Sequence, residues 1–316
     1  MNSAALITLA LGTLACTQAE LATRVGVSPS QITKWKKGEH MSLDMEGKIR
    51  ALANIGDMDP TFVALAGSVE AAKKWGELIR YLADVAESSS ETGYNTDPLN
   101  DEFGLLCWNV FYVLDEIGVE IPKIFPDSLD VDFDNVPEDF HETIESNHVA
   151  SLIQKIFDSF VNVYGFYAAY IVDLLHDDEL DVWDDAGDNI SSGLMSLAAT
   201  KISIEDGAYF AGKFVNFSYK IRDEYKDWLN IVKERAYRSG APLRAELLDL
   251  VFGDEEDLRE EAERQSLGFN DARLHPDVYM NELLQGMRVI HQVLPVIMKK
   301  LGIDDFNLDK SALSAD

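Results

Sequence analysis

Cysteine is almost absent from this 316-residue chain, with only Cys16 and Cys107 present. Two cysteines exclude a disulfide framework and a cysteine-ligated zinc finger, and such low usage fits a reducing cytosol. Basic charge is also scarce: 27 Lys and Arg stand against 56 Asp and Glu, a formal charge of -29. No Gly-rich phosphate loop, internal repeat or β-rich segment stands out, and no serine sits in a nucleophile elbow. Uninterrupted apolar runs of membrane length are missing too. The apolar stretch 153–175 is broken by Asp158 and Asn162, which argues against a span. What the chain does have is 47% hydrophobic residues, enough for a core, and length enough for two domains.

The negative charge is unevenly placed. Residues 1–56 hold six basic groups (Arg24, Lys34, Lys36, Lys37, Lys48, Arg50) and four acidic ones (Glu20, Glu39, Asp44, Glu46), about +2. The other 260 residues carry 21 basic and 52 acidic groups, or -31. This asymmetry suits a small head that meets a polyanion and a body that repels one. Solubility alone also accounts for an acidic body, and charge by itself does not separate the two.

The apolar stretch from Ala4 to Cys16 has the look of a signal-peptide core ending in a lipoprotein-like cysteine. A secretory signal needs a basic n-region, but the first Lys or Arg is Arg24, and Thr13 stands where a lipoprotein box wants leucine. The segment is also too short to cross a bilayer. It is expected to be a retained first helix of a cytoplasmic protein.

From Thr17 the sequence carries two helix signatures in succession. Thr17 and Glu20 form an S/T-x-x-E capping box; Leu21, Ala22 and Val25 make an apolar stripe, and Gly26 supplies the left-handed stop. Ser28 opens a second box with Gln31, and Pro29 takes the first helical position, where its missing N–H costs nothing. Ile32 and Trp35 are three apart and point back to a core, and Gly38 ends the segment. Small Ala22 permits close approach, while Ile32 and Trp35 anchor a helix crossing near a right angle.

Residues 3–56 therefore resemble the Cro and phage-repressor (Xre-type) helix-turn-helix family. The pattern Thr-Gln-x-x-Leu-Ala-x-x-x-Gly-Val-Ser-x-x-x-Ile-x-x-Trp-x-x-Gly is met by Thr17, Gln18, Leu21, Ala22, Gly26, Val27, Ser28, Ile32, Trp35 and Gly38. The resemblance implies five short helices: 3–14, 17–25, a recognition helix at 28–37, 43–54, and a fifth from near Asp59. Ala15 replaces the family's usual glycine, so the turn there is expected to differ. The resemblance also implies that the recognition helix enters the major groove. Its outward residues would be Ser28, Pro29, Ser30, Gln31, Thr33, Lys34 and Lys37. Gln31 suits adenine, Lys34 suits guanine acceptors, and Ser30 and Thr33 suit a hydrogen bond or a thymine methyl. Gln18 would clamp a phosphate, with Lys36 and Lys37 as further phosphate contacts. Pro29 stands where the family often reads a base, which lowers the expected number of base contacts.

Beyond the resemblance, Ser68 is expected to cap a helix whose Val69, Ala72, Trp75, Leu78, Ile79, Leu82 and Val85 share a face. The polar stretch 87–101 reads as a linker. Further helices are expected near 101–117, 138–176, 190–200, 205–237, 241–252, 254–266 and 276–301, with 153–175 as a central helix or part of a dimer interface.

Catalytic patterns are weak. His141-Glu142-Thr143-Ile144-Glu145 has Glu145 where a zinc-protease motif needs its second histidine, with His148 seven residues beyond His141. Asp130, Asp132 and Asp134 alternate as in a calcium loop, but Asn135 and His141 occupy its glycine and glutamate positions. His176-Asp177-Asp178 has no second histidine cluster beside it.

The expected architecture is all-α. A five-helix lambda-repressor-like helix-turn-helix domain covers 1–66, and a connecting helix and linker cover 67–99. A larger acidic helical domain, for dimerisation or partner binding, covers 100–316. The expected function is a sequence-specific double-stranded DNA-binding regulator, a repressor acting as a homodimer on a near-palindrome. It is not read as an enzyme; no catalytic residue, cofactor, metal ligand or membrane association is assigned. The alternative is a DNA-addressed interaction protein of a mobile-element, phage-defence or toxin–antitoxin system, whose acidic body binds a protein partner.

Overall fold

The computed structural model describes residues 3–90, 94–101, 104–202, 211–239, 290 and 292–302; the helices expected at 241–252 and 254–266 lie outside these. Among the described residues all regular structure is helical and no strand occurs. The chain divides into two compact units. One comprises described residues up to 168 together with those in 189–225; the other comprises those in 169–188 and from 226 onward.

The first unit begins with five short helices: α1 (Ser3–Thr13), α2 (Gln18–Val25), α3 (Pro29–Lys36), α4 (Leu43–Ala53) and α5 (Pro60–Ala66). Their ends follow from local chemistry. The Thr17 side chain accepts from Glu20 N–H while the Glu20 carboxylate accepts from Thr17 N–H at 2.7 Å, so the predicted capping box is complete. At Ser28 only half of the predicted box forms: its hydroxyl accepts from Gln31 N–H at 3.3 Å and also bonds the Ser30 hydroxyl. Gly26 at φ 83 and Gly38 at φ 89 close α2 and α3. After Gly38, Glu39 N–H reaches back to the Lys34 carbonyl, the longer bond of a Schellman turn.

Ala15 takes the left-handed conformation itself, φ 45, with Cys16 N–H bonded to the Leu11 carbonyl. The turn thus keeps the backbone geometry a glycine would supply, at the cost of crowding a Cβ. Ala15→Gly is expected to stabilise the protein by about 1 kcal/mol, since it removes that crowding but frees the unfolded chain. Chemical denaturation measures this, and a destabilised variant would refute it.

Leu6, Ile7, Ala10, Leu21, Ala22, Val25, Ile32, Trp35, Ile49, Ala53 and Ile55 bury their side chains together at the centre of these helices. The apolar N-terminal stretch is therefore consumed by this core. No single helix among the described residues is long and apolar enough to cross a membrane; α1 and α2 have that length and apolar composition only together, and they are bent by 102°.

α5 packs on α1 and also on α6 (Val69–Ser89) and α7 (Leu106–Ile117). Phe62 of α5 meets Phe111 edge-on at 4.9 Å, Phe111 meets Trp75, and Trp75 meets Phe125 at 5.0 Å. Continuous apolar packing therefore runs through position 66. Ser68 caps α6 as expected, and Ala72, Trp75, Leu78, Ile79 and Leu82 are buried. Val85 is exposed; the buried stripe passes instead through Ala83 and Ala86, as the drift of a 3.6-residue repeat requires. Residues 94–101, read as linker, close onto α6: Thr96 is fully buried, its N–H bonds Glu87 Oε1 at 2.8 Å, and Asp101 accepts from Leu106 N–H.

The single helix expected over 138–176 is three: α8 (Phe140–Ser146), α9 (His148–Tyr170) and α10 (Val172–Leu175). Asn147 separates the first two, because its side-chain oxygen caps Ala150 N–H. In α9, Leu152, Ile153, Ile156, Phe157, Phe160, Val161 and Val163 are buried while Asp158 and Asn162 face solvent. The first unit also holds α11 (Asp188–Ser192) from Asn189 on, α12 (Leu194–Ala199) and the first half of α13 (Ala211–Ser239). The buried Tyr225 hydroxyl of α13 donates to the Ile190 carbonyl at 2.6 Å. In the second unit, Arg235 pairs with Asp185 and donates to the Leu180 carbonyl at 3.2 Å. Residues 292–301 are helical.

Candidate nucleic-acid interface

Two residues fix α3 from below. Ile32 and Trp35 are 0% and 4% exposed, and Trp35 Nε1–H donates to the His40 carbonyl at 3.1 Å. From α1, the Ser3 hydroxyl lies 3.2 Å from the Trp35 carbonyl and 2.9 Å from the Glu39 carbonyl, tying the start of the chain to the end of α3. With one face so held, the opposite face must be outward. Ser28, Pro29, Ser30, Thr33, Lys34, Lys36 and Lys37 are exposed, and Gln31 and Gln18 are half-buried.

α2 and α3 are joined side chain to side chain by Thr33 and Gln18. The Thr33 hydroxyl lies 3.0 Å from Gln18 Oε1 and 3.1 Å from the Pro29 carbonyl. Because its oxygen accepts from Thr33, the Gln18 amide keeps its two N–H donors for an external acceptor. Gln18 also opens α2, where the N–H groups of the first turn lack intrahelical acceptors and the helix dipole favours an anion. Glu20 is held below the usual carboxylate range by its hydrogen bonds to the Thr17 backbone and side chain, so it stays ionised at this end.

α3 has eight residues, roughly 12 Å of helix. That length separates Ser28, Pro29 and Ser30 at one end from Lys36 and Lys37 at the other. Lys34 lies between, its ammonium 3.8 Å from Glu39, with both side chains more than half exposed. Such a pair holds its members weakly. Elsewhere in this head, Lys48 pairs with Asp44 at 2.8 Å and Arg50 with Glu46 at 2.6 Å. Arg24 of α2 and Lys34, Lys36 and Lys37 of α3 are all exposed.

The structure thus brings Gln18 to Thr33 and Ser28 to Ser30, and gathers the three lysines in the last turn of α3 and its cap. Sequence reasoning missed the Gln18–Thr33 and Lys34–Glu39 contacts. The second has a trace in the sequence, since a glycine stop turns the next residue back along the helix. The first depends on how two helices cross.

The other acidic and histidine patterns are locally engaged. Asp130 pairs with Lys74 at 2.5 Å, and Asp132 accepts from Asp134 N–H and Asn135, which lowers its pKa. His141 Nδ1 lies 3.1 Å from the Glu138 carbonyl, and the His176 and Trp183 rings lie 4.9 Å apart. Among the described residues no three His, Cys, Asp or Glu side chains converge as metal ligands. Comparison of the chain with family models, curated proteins and solved structures gave no significant match.

Proposed function

We propose that residues 3–66 are a helix-turn-helix domain that binds double-stranded DNA, with α3 as the recognition helix in the major groove. The observation that carries this reading is the arrangement of α3. It is locked by buried Ile32 and Trp35, opened by a capped proline turn, and lined outward by Ser28, Pro29, Ser30, Gln31, Thr33, Lys34 and Lys37. Gln18 and Lys36 join Lys37 on phosphates, and Gln31 and Lys34 read base edges. One such head makes few phosphate contacts, so the chain acts as a homodimeric regulator, a repressor, on two half-sites.

Selection of bound sequences from a random DNA pool tests this directly. The wild-type chain is expected to enrich a near-palindrome. Lys34→Ala is expected to lose about tenfold in affinity and relax the preference at one position of each half-site. Lys36→Ala is expected to weaken all sequences alike and to flatten the salt dependence by about one unit of slope. An unchanged preference in Lys34→Ala would sink the assignment of α3.

A second reading is favoured by the charge of -31 on residues 57–316. In it the head is an address, and the body recruits a basic protein partner of a mobile-element, phage-defence or toxin–antitoxin system. Affinity purification from the native host separates the two: a stoichiometric partner supports recruitment, and its absence counts against it.

A further inference from the structure

The helix over 292–301 shows solvent the side chains that a helix normally hides. Ile290, Val293, Leu294, Val296, Ile297 and Leu301 are 45–67% exposed. Four of them, Ile290, Leu294, Ile297 and Leu301, recur at intervals of four, three and four, which is one continuous stripe on an α-helix. Pro295 falls beside this stripe.

We infer that this stripe is a self-association surface and that its occupant is the same helix of a second copy. Charge narrows the choice. The chain carries -29, so two copies repel wherever acidic surfaces approach. Residues 290–302 contain no Asp or Glu and carry Lys299 and Lys300, so this segment can approach a like chain without that repulsion. Geometry narrows it further. A stripe with four-three-four spacing is self-complementary, because the ridges of one helix fit the gaps of its twofold mate.

Size sets the strength. At roughly 60 Å² of apolar surface per half-exposed side chain, the four stripe residues cover about 240 Å² per copy and about 480 Å² for the pair. This falls below the ~1,200 Å² of a stable interface. The association is therefore reversible and concentration-dependent. It becomes effective when two copies are held close, as two heads on neighbouring half-sites would be. That last step rests on the DNA-binding reading, whereas the self-association does not.

Sedimentation velocity of the full chain without DNA, from about 1 to 200 μM, tests the surface. The wild type is expected to move from the 35.3 kDa monomer toward twice that mass as concentration rises. Ile297→Glu is expected to remain monomeric throughout, with an unchanged melting temperature at the lowest concentration. Gln292→Glu, off the stripe, is expected to associate like the wild type. A wild type that stays monomeric, or an Ile297→Glu chain that associates normally, overturns the inference. So does a lower melting temperature of Ile297→Glu in dilute solution, which would place the stripe against its own chain. Flotation of monomeric wild type with anionic phospholipid vesicles would assign the stripe to lipid instead. Because no DNA is present, these outcomes leave the assignment of α3 untouched.

Discussion

Arg50→Ala is expected to lower the unfolding free energy by about 3 kcal/mol, and the cause is the charge it would leave behind. Glu46 is 6% exposed, although it lies in the first turn of an otherwise ordinary surface helix. Arg50, one turn later, donates Nε–H to it at 2.6 Å. Its Nη1 reaches the Gly56 carbonyl at 3.1 Å and the Met58 carbonyl at 2.9 Å, so the same guanidinium holds the chain between α4 and α5. Removing one member of a buried pair costs about 3–5 kcal/mol because the other remains desolvated and unpaired. The partial exposure of Arg50 puts this pair at the low end. Denaturant unfolding of Arg50→Ala beside Arg50→Ala/Glu46→Ala is the measurement. The double variant is expected to recover part of the loss. If the single variant lost under 1 kcal/mol, the pair would not be the anchor of this turn.

Gly67→Ala is expected to destabilise the protein by about 3 kcal/mol for a different reason. Gly67 ends α5 at φ 94, a conformation that costs an L-residue about 1–2 kcal/mol. A Cβ at this position would also stand 2.8 Å from the Lys123 carbonyl oxygen and 2.9 Å from its Cα, which are backbone atoms that cannot swing aside. Lys123 is fixed there because its ammonium accepts the role of a cap, donating to the Leu65 carbonyl at 2.8 Å. Gly56→Ala supplies the comparison. Its φ is 55, but a Cβ there would meet nothing within 4 Å, so only the backbone cost applies, about 1 kcal/mol. Equal losses in the two variants, measured by thermal or denaturant unfolding, would mean that the close crossing at Lys123 does not persist in solution.

Both predictions turn on contacts that local sequence reading does not reach. Arg50 counts in the sequence as one of six cations of the head. Its neighbours at 46, 56 and 58 make it an internal clamp instead, because α4 turns that face inward. Gly67 ends α5; the crossing of residue 123 behind it spans 56 residues of chain. The same limit applied at the candidate site. Thr17, Glu20, Gly26, Ser28, Pro29 and Gly38 mark helix ends through bonds made within four or five residues, and those marks were legible. Ile32 and Trp35 were legible as anchors because a 3.6-residue repeat leaves no other side for them. The hydrogen bond from Thr33 to Gln18, and the return of Lys34 to Glu39, follow from a particular crossing and a particular turn.

The body was read less completely. The apolar residues of α9 announced a buried helix, but Asn147 looks like any polar residue until its side chain is seen capping Ala150. Residues 94–101 have the composition of a linker. They lie closed on α6 because Thr96 and Leu99 are buried there, and two such residues in a polar stretch carry too little signal to outweigh it. By itself the sequence determined the all-helical class, the ends of α2 and α3, the face of α3 that is buried and the sign of charge on head and body. Each of these rests on interactions within one or two helical turns, or on composition. Tertiary structure alone decided which cations stay outward, how Gln18 is held, and how α5 packs onto α6 and α7. Those depend on groups tens of residues apart meeting at distances near 3 Å, which only the packed chain specifies.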